Sequence, residues 1–404
     1  MRVAFVLGTT SGGTGRHVRT LVEGLVRRGH QVLVAGPESV EEQFGFVGAG
    51  ARFVAVAVSD RPHPGRDLRA MLAIRRLTRG ADVVHAHGLR AGALAALGRA
   101  GGVSAALGMK GVVQAALRMW GAVRAVLGMR GAVGAAGGGS RVGGGRVLVV
   151  TLHNALTAGG FVGVVYGVLE RIVARGADHV LVVSPDLGER MLALGAREVT
   201  AAVVGAPVLP PAKRTPQEVR DELAAGERPL LLTIARLAQQ KGLETLLDVA
   251  AGPWEGHAEP LFVVAGEGPL RGALQARIAA EGLPVRLLGN RDDIPDLLGA
   301  AQALVMPSRW EGQPLTLREA LMAGTPAIAT EVGGIPEILG DAGILVRYGD
   351  VEGLRGAVRE LLVTPGAAET LAAAAARRGR EMPGDDDVVE SALAAYPRED
   401  PRDE

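Results

Sequence analysis

The sequence predicts an α/β fold in which two doubly wound domains, each a parallel sheet covered by helices, face a central cleft. Short apolar runs alternate with longer helical patterns in the first half of the chain, and this alternation is typical of strands joined by crossover helices. The alternation stops at a proline-rich segment that begins with Pro207 and restarts at Leu230. Ligands are expected at the carboxyl ends of the strands.

The first domain is predicted over residues 1–206. Its first apolar run follows a single charge and leads into a glycine loop, so it is interpreted as a strand and not as a secretion signal. The predicted strands of this domain are Val3–Leu7, Gln31–Ala35, Val83–His85, Val147–Thr151 and Val180–Val183.

A linker is predicted over residues 207–228, because its prolines favour an extended connection. The second domain is predicted over 229–382, with strands at Leu230–Ala235, Leu261–Ala265, Val285–Leu288, Ala303–Met306 and Ala327–Thr330. Residues 383–404 are expected to form a helix and an acidic tail. The D-x-D pattern within Asp385–Asp387 is interpreted as solvated tail and not as a metal site.

Residues 98–146 interrupt the alternation. No acidic residue occurs between Asp82 and Glu170, and LGMKG at 107–111 recurs as LGMRG at 127–131. Two interpretations stay open: a low-complexity basic surface insertion without function, or a basic amphipathic segment that contacts the inner face of an anionic membrane peripherally.

Composition excludes several classes of function. The chain has 44 Lys plus Arg and 43 Asp plus Glu, a formal charge of +1, so no nucleic-acid partner is expected. It has no Cys, which excludes a disulfide scaffold, a thiolate nucleophile and a Cys-ligated metal. This composition fits a reducing cytoplasm, and no transmembrane helix is expected.

The segment from Pro307 to Ala320 carries the strongest chemical pattern. Glu311 is expected in a loop after a strand, and Glu319 in a helix that begins near Pro314. The backbone amides of Leu315 and Thr316 would then open towards phosphate oxygens, while two carboxylates could accept hydrogen bonds from hydroxyl groups. The alternative is that both glutamates are ordinary solvated charges.

Arg236 and Lys241 follow the predicted strand at Leu230–Ala235. Lys241 is one of only three lysines among 44 basic residues, and an ammonium beside a guanidinium suits a diphosphate. Surface cations are the alternative. The loop that contains Gly12 and Gly13 could approach a ligand closely, although the third glycine of a dinucleotide fingerprint is missing.

Three histidines end predicted strands: His85, His87 and His153. His85 is expected to be packed within its strand, whereas His87 and His153 lie where loops begin. A hydrogen-bonded structural role is the default for each, and no metal-ligand spacing accompanies them, so no metal is expected.

Together these motifs resemble the retaining glycosyltransferases of family 4, which have the GT-B fold of two Rossmann-like domains and use nucleotide-activated sugars. The resemblance covers most of the chain. It rests on an E-x7-E element, an R-x4-K-G element, the glycine loop, a T-x-H strand end, a GEGP turn at Gly266–Pro269 and GGIPEI at Gly333–Ile338.

The resemblance implies a hexosyltransferase that needs no metal or other cofactor and retains anomeric configuration. Its donor would be a nucleotide diphosphate sugar, and its acceptor a hydroxyl group on a lipid-linked molecule, a polysaccharide or a small molecule. The implied catalytic residues are His153, Arg236, Lys241 and Glu311. Those implied to bind the donor are Gly12, Gly13, Gly266, Arg291, Leu315, Thr316 and Glu319, and the implied acceptor-side residues are His87 and Asn154.

The sequence departs from this family where Gly312-Gln313-Pro314 replaces the common Gly-Phe-Gly, where Asn154 follows the histidine, and at 98–146, which has no matched counterpart. The alternatives are a nucleotide-sugar epimerase of the same architecture, a dinucleotide-dependent oxidoreductase, and a non-catalytic membrane-bound scaffold whose active part is residues 98–146.

Overall fold

Two units of the chain, each with its own parallel sheet, are present in the computed structural model, which describes residues 1–10, 12–58, 63–99, 146–154, 160–254 and 258–397. The first unit comprises Met1–Val203 together with the chain from Asp385 onward, and the second comprises Val204–Gly384. Within the predicted insertion, residues 100–145 are not among the described residues.

Seven parallel strands form the sheet of the first unit, in the order β3-β2-β1-β4-β5-β6-β7. The strands are β1 Arg2–Leu7, β2 Gln31–Gly36, β3 Arg52–Ala55, β4 Val83–His87, β5 Val147–Leu152, β6 His179–Val182 and β7 Val199–Ala201. The helices are α1 Gly13–Arg27, α2 Glu38–Phe44, α3 Pro64–Leu77, α4 Leu89–Arg99, α5 Gly160–Gly176 and α6 Pro185–Ala193. Because helices cover the sheet, the central strands β1, β4 and β5 are buried along nearly their whole length.

Six parallel strands form the sheet of the second unit, in the order β10-β9-β8-β11-β12-β13. They are β8 Leu230–Ile234, β9 Leu261–Ala265, β10 Val285–Gly289, β11 Ala303–Met306, β12 Ala327–Thr330 and β13 Gly343–Val346. The helices, in chain order, are α7 Pro216–Glu222, α8 Leu243–Ala250, α9 Arg271–Glu281, α10 Ile294–Ala300, α11 Leu315–Met322, α12 Ile335–Leu339, α13 Val351–Val363 and α14 Ala367–Arg380.

The predicted linker is corrected by the structure. Helix α7 lies inside it and starts with a capping box in which Thr215 and Glu218 satisfy each other's backbone amides. Val219 on this helix and Leu223 at its C-cap are buried in the core of the second unit. Burial of such side chains contributes about 1.5–3 kcal/mol each, so this stretch is part of the domain and not an extended connection.

The predicted acidic tail also begins as packed structure. Helix α15, Asp385–Ala394, belongs to the first unit and buries Val388 and Val389. Val389 fits closely against α1, because a Cβ atom at Gly24 would lie 2.3 Å from its Cγ2. The three aspartates occupy the exposed first turn of the helix, where negative charge is favourable to the helix dipole.

Both sheets reverse their strand order next to their first strand, between β1 and β4 in one unit and between β8 and β11 in the other. The loops that leave these neighbouring strands diverge to opposite faces of the sheet, which opens a crevice at the carboxyl ends. A crevice of this kind is therefore expected at the carboxyl end of each sheet. In the described part of the chain, every helix is too short or too polar to cross a membrane.

Candidate functional site

The crevice of the second unit is formed by the loops that follow β8 and β11. The amide of Arg309 donates a hydrogen bond to the carbonyl oxygen of Gln240 at 2.8 Å. The side chain of Gln240 donates in return to the carbonyl oxygen of Trp310 at 2.9 Å. These two bonds hold the predicted Arg236–Lys241 loop directly against the predicted Glu311 loop.

Two glycines allow this close approach. Gly242 has a φ of 62°, and a Cβ atom there would lie 1.9 Å from the carbonyl oxygen of Pro307. Gly333 has a φ of 55°, and a Cβ atom there would lie 1.8 Å from the carbonyl oxygen of Glu311. No other residue type fits at these distances, so glycine is required where three loops pack backbone against backbone.

Lys241 and Glu311 form an ion pair at the centre of these loops. Nζ of Lys241 lies 2.7 Å from Oε1 of Glu311, and the hydroxyl of Ser308 donates to the same oxygen at 2.7 Å. Glu311 is only 5% exposed, so its charge requires these partners. Ser308 has no role predicted from the sequence, because no motif distinguishes it.

The other predicted residues of this crevice differ in exposure. Arg236 is exposed at the start of its loop. Leu315 and Thr316 lie in the first turn of α11, directly after the N-cap residue Pro314, where backbone amides have no partner within the helix. Glu319 is half-buried further along the same helix. The structure thus gathers an exposed cation, an ion pair and a helix amino terminus around one strand-order reversal.

The GEGP turn joins the same group of loops. The amide of Gly266 donates to the carbonyl oxygen of Gly289 at 2.7 Å, and the amide of Leu237 donates to the carbonyl oxygen of Glu267 at 2.9 Å. Gly266 therefore supports the backbone next to Arg236.

The side chain of Arg291 is engaged in ion pairs. Its guanidinium donates to Asp293 at 2.6 Å and to Glu222 at 2.9 Å. The hydrogen bonds from Arg291 and Arg214 lower the pKa of Glu222 to about 2. The side chain is thus part of a surface ion-pair network, and only its backbone is left to border a bound base.

The crevice of the first unit is a cavity of about 280 Å³ at the carboxyl ends of β1 and β4. Its walls come from the glycine loop, the start of α4, the end of β5 and one face of α5. The polar residues that line it are Thr9, Thr10, Thr14, His87, Arg90, His153, Asn154, Tyr166 and Glu170. Gly12 is the N-cap residue of α1 and Gly13 its first residue.

The charged groups of this cavity are already paired. Arg90 donates to Asp67 at 2.7 Å, and the buried Glu170 accepts a hydrogen bond from Arg190 at 2.8 Å. The cavity therefore offers hydroxyl, amide and imidazole groups, together with Arg90 and Glu170, whose charges are neutralised by their ion-pair partners. This arrangement suits a ligand rich in hydroxyl groups.

A group of four histidines adjoins the cavity. His85 is fully buried and bonds to the hydroxyls of Tyr396 and Thr151, each at 2.7 Å, which confirms its prediction as a packed strand residue. His87 and His153 bond to each other at 3.0 Å. His17 on α1 has ring contacts with both at 5.7 and 5.5 Å. No sequence motif marks His17, because its position beside the other histidines depends on helix packing.

These imidazoles are held neutral by their surroundings. Burial lowers the pKa of His17 to about 4, and burial together with the repulsion that a protonated His17 would exert lowers the pKa of His153 to about 3. Burial and the neighbouring histidines also lower the pKa of His85 and His87. Among the described residues, no group of three His, Asp or Glu side chains is arranged to hold a metal ion.

Comparison with known proteins gives matches in both units. Residues 228–364 match the family model described as "Glycosyl transferases group 1", and residues 12–207 match the "Glycosyl transferase 4-like domain". The solved structure of HepE from Anabaena in complex with UDP has the same fold, with a TM-score of 0.72 and 17% identity over 98% of this chain and 99% of that chain.

Two similar proteins illustrate the range of relatives. Alpha-D-kanosaminyltransferase of Streptomyces kanamyceticus is 30% identical over 165 residues, which cover 39% of this chain and 43% of that protein. Glycogen synthase of Mycobacterium tuberculosis is 32% identical over 249 residues, which cover 57% of this chain and 58% of that protein. The chain thus spans about half the length of these relatives.

Proposed function

The chain belongs to the family 4 glycosyltransferases of the GT-B fold, and from that premise we propose that it transfers a sugar from a nucleotide diphosphate sugar to a hydroxyl acceptor. The observation that supports this most directly is the arrangement around β8 and β11. There an exposed arginine, a lysine paired with a buried glutamate, and a helix amino terminus surround one crevice. A diphosphate with an attached sugar needs these groups.

In this proposal the second unit holds the donor. Arg236 and Lys241 bind the diphosphate, while the amides of Leu315 and Thr316 bind its remaining oxygens. Glu319 accepts hydrogen bonds from the ribose, and Glu311 from hydroxyls of the donor sugar. Structural neighbours described with UDP and with UDP-glucose support a uridine nucleotide as the first donor to test.

The first unit binds the acceptor in its cavity. The supporting observation is the wall of threonine, tyrosine, asparagine and histidine side chains with two internally neutralised ion pairs. A ligand with several hydroxyl groups finds a partner for each of them there, whereas a long hydrocarbon chain would leave the polar groups unsatisfied. His87 and Asn154 lie on this acceptor side, and His153 acts near the reacting carbon.

The transfer is proposed to retain anomeric configuration. The acceptor oxygen attacks the anomeric carbon on the face from which the diphosphate departs. The bond between carbon and phosphate oxygen breaks with its electron pair on the phosphate, and a phosphate oxygen takes the acceptor proton. The products are the glycoside and the nucleoside diphosphate. Arg236, Lys241 and the helix amides stabilise the negative charge that grows on the leaving group.

No metal is assigned a role in this proposal, in which Arg236, Lys241 and a helix amino terminus stabilise the diphosphate charge. Activity should then be the same after dialysis against EDTA as before. Loss of activity that added Mg²⁺ restores would contradict this part of the proposal.

The deciding experiment is a thermal-shift panel of UDP-, GDP- and ADP-sugars, since a ligand at 100 times its Kd stabilises the native state by about 2.7 kcal/mol. The donor that raises the unfolding temperature is then incubated with and without candidate polyhydroxylated acceptors. Sugar conversion without an acceptor would indicate an epimerase, and stabilisation by NAD alone would indicate an oxidoreductase. No response to any nucleotide sugar would refute the proposal.

A further inference from the structure

His87 lies between two other imidazoles at the carboxyl end of β4. Its ring centroid is 4.3 Å from that of His85 and 5.3 Å from that of His153, and both pairs are stacked. His85 is held by hydrogen bonds on both of its nitrogens. His17 makes T-shaped ring contacts with His87 and His153. The His87 ring is therefore enclosed by rings whose own positions are constrained.

The two ring nitrogens of His87 differ in their hydrogen bonding. Nδ1 lies 3.0 Å from Nε2 of His153, whereas Nε2 is buried and has no hydrogen-bond partner among the described residues. A neutral imidazole carries one N–H donor and one acceptor nitrogen. The bond between the two rings can therefore have either of two directions, and the direction determines which nitrogen of each ring carries the proton.

The buried Nε2 of His87 distinguishes the two directions. If His153 donates, the proton of His87 must lie on Nε2, where a buried N–H finds no acceptor within the described part of the chain. If His87 donates from Nδ1, its Nε2 is a bare lone pair, and no donor is left unsatisfied. An unmade hydrogen bond of a buried N–H is costly, so the second direction is favoured.

We propose that His87 is a positioning residue that donates from Nδ1 to Nε2 of His153 and thereby holds His153 as the tautomer protonated on Nδ1. Nδ1–H is then the only donor that the His153 ring offers to a ligand oxygen in the cavity that it lines. The identity of that oxygen, on the transferred sugar or on the acceptor, rests on the proposed function. The assignment of the His153 tautomer does not rest on the proposed function.

The direct test is the nitrogen NMR spectrum of the full chain labelled with ¹⁵N-histidine, in which long-range couplings to the ring protons distinguish protonated from bare nitrogens. The His153 signals are assigned from their loss in His153→Gln. We expect a protonated Nδ1 and a bare Nε2. A protonated Nε2 of His153 in the wild-type protein would overturn the proposal. This measurement on the wild-type protein does not depend on the folding of any His87 variant.

Two substitutions of His87 separate positioning from packing. His87→Phe keeps a ring in the stack but has no donor, whereas His87→Asn places an amide N–H near the position of Nδ1. We expect His153 to become a mixture of tautomers in His87→Phe and to stay protonated on Nδ1 in His87→Asn. An unchanged His153 spectrum in a folded His87→Phe would also contradict the proposal.

Kinetics give the functional readout once a donor and an acceptor are known. His87→Phe should lower kcat on the order of tenfold, the effect of one hydrogen bond to a reacting group, with little change in the donor KM. His87→Asn should recover most of this loss. Equal losses in both variants would assign His87 a packing role alone. If no donor supports transfer, the proposed function fails, but the spectrum still reports on the bond between His87 and His153.

Discussion

The ammonium of Lys241 lies 2.7 Å from the carboxylate of Glu311, although 70 residues separate them in the chain. Each residue belongs to a loop that leaves a different strand at the point where the sheet reverses its order. The pair therefore fixes the two loops to each other and places one cation at a defined position. In the proposed function, the same cation faces the leaving diphosphate.

Replacing Lys241 by Ala should lower kcat by about 10²–10³, the usual effect of removing one group that stabilises developing negative charge. The protein should be destabilised but stay folded, because removing one partner of a buried ion pair costs about 3–5 kcal/mol, Ser308 still donates to Glu311, and domains have about 5–15 kcal/mol of stability. Turnover and circular dichroism measure the two effects. Lys213→Ala, at an exposed lysine of the same unit, is the matched control, and near-normal turnover of Lys241→Ala would refute the assignment.

Lys241 and Glu311 should also be coupled in stability. Glu311→Gln removes the negative charge but keeps a hydrogen-bond acceptor for Ser308, so it should relieve much of the penalty that Lys241→Ala causes. A double-mutant cycle by urea unfolding should give an interaction free energy of about 0.5–3 kcal/mol. Strict additivity of the two substitutions would show that the observed contact contributes no net stability.

Arg236 is expected to bind the nucleotide diphosphate without first breaking an ion pair, because its side chain is exposed and has no salt-bridge partner among the described residues. Arg236→Ala should weaken UDP binding by about 10- to 100-fold, the equivalent of about 1.5–3 kcal/mol for a charged hydrogen bond. The wild-type affinity should fall as salt is added, and less so in the variant. Calorimetry measures both. Arg377→Ala, which removes an exposed arginine paired with Asp341, should leave UDP binding unchanged.

Glu319 is predicted to recognise the ribose. The wild-type protein should bind UDP at least tenfold more tightly than 2′-deoxyuridine diphosphate, because the carboxylate would lose a hydrogen bond to the 2′-hydroxyl. In Glu319→Ala this preference should disappear, whereas Glu360→Ala, on an exposed helix face of the same unit, should keep it. A preserved preference in Glu319→Ala would assign the ribose to another residue.

The central strands of both sheets were predictable because they are buried on both faces and therefore read as continuous apolar runs. Strands β3, β7 and β13 were missed because they lie at sheet edges, are only three or four residues long and are half-exposed. Helix α7 could have been found from Thr215, Pro216 and Glu218, which form a helix-start pattern. The prolines were instead interpreted as a linker.

The candidate site, like the fold, could be predicted from the sequence only in part. The loops that carry Lys241 and Glu311 were predictable, because a parallel sheet brings its carboxyl ends together. Their direct pairing and the ion pairs of Arg291 were not, since each depends on the conformation of residues distant in sequence. His17 was missed for the same reason: nothing in its helix distinguishes it from a core residue until the helix is packed beside β4.

Deletion of the predicted insertion should leave the fold and the cavity intact. Arg99 and Arg146 flank residues 100–145 and line one small crevice together with Thr78. Val147 pairs with Val83 at the start of β5 and β4. The two residues that flank the segment 100–145 thus lie near the amino ends of the strands, whereas the cavity lies at their carboxyl ends. Replacing 100–145 by a short Gly-Ser link should change turnover less than twofold, and a large loss would place the segment in the active site.

The same variant decides between the two interpretations of the insertion. Sedimentation with vesicles of anionic phospholipid should pellet the full chain if the basic segment contacts membranes, and the deletion variant should then stay in solution. Neutral vesicles are the control, because the attraction depends on negative surface charge. If neither protein sediments, the insertion is a surface feature without this function.

The buried histidines should make the first unit less stable in weak acid. The pKa of His17 falls from an ordinary value near 6.5 to about 4 in the folded protein, so between these values the unfolded chain binds a proton that the folded chain does not. The free energy of unfolding therefore rises with pH across this window and falls as pH decreases through it. From pH 7 to pH 5 the free energy of unfolding should fall by on the order of 2 kcal/mol for His17 alone.

Urea unfolding followed by circular dichroism at pH 7 and at pH 5 measures this change. His17→Phe should reduce the difference by about that amount, and His63→Asn, at an exposed histidine that caps α3, should not. Equal pH dependence in all three proteins would show that His17 is protonated in the folded state.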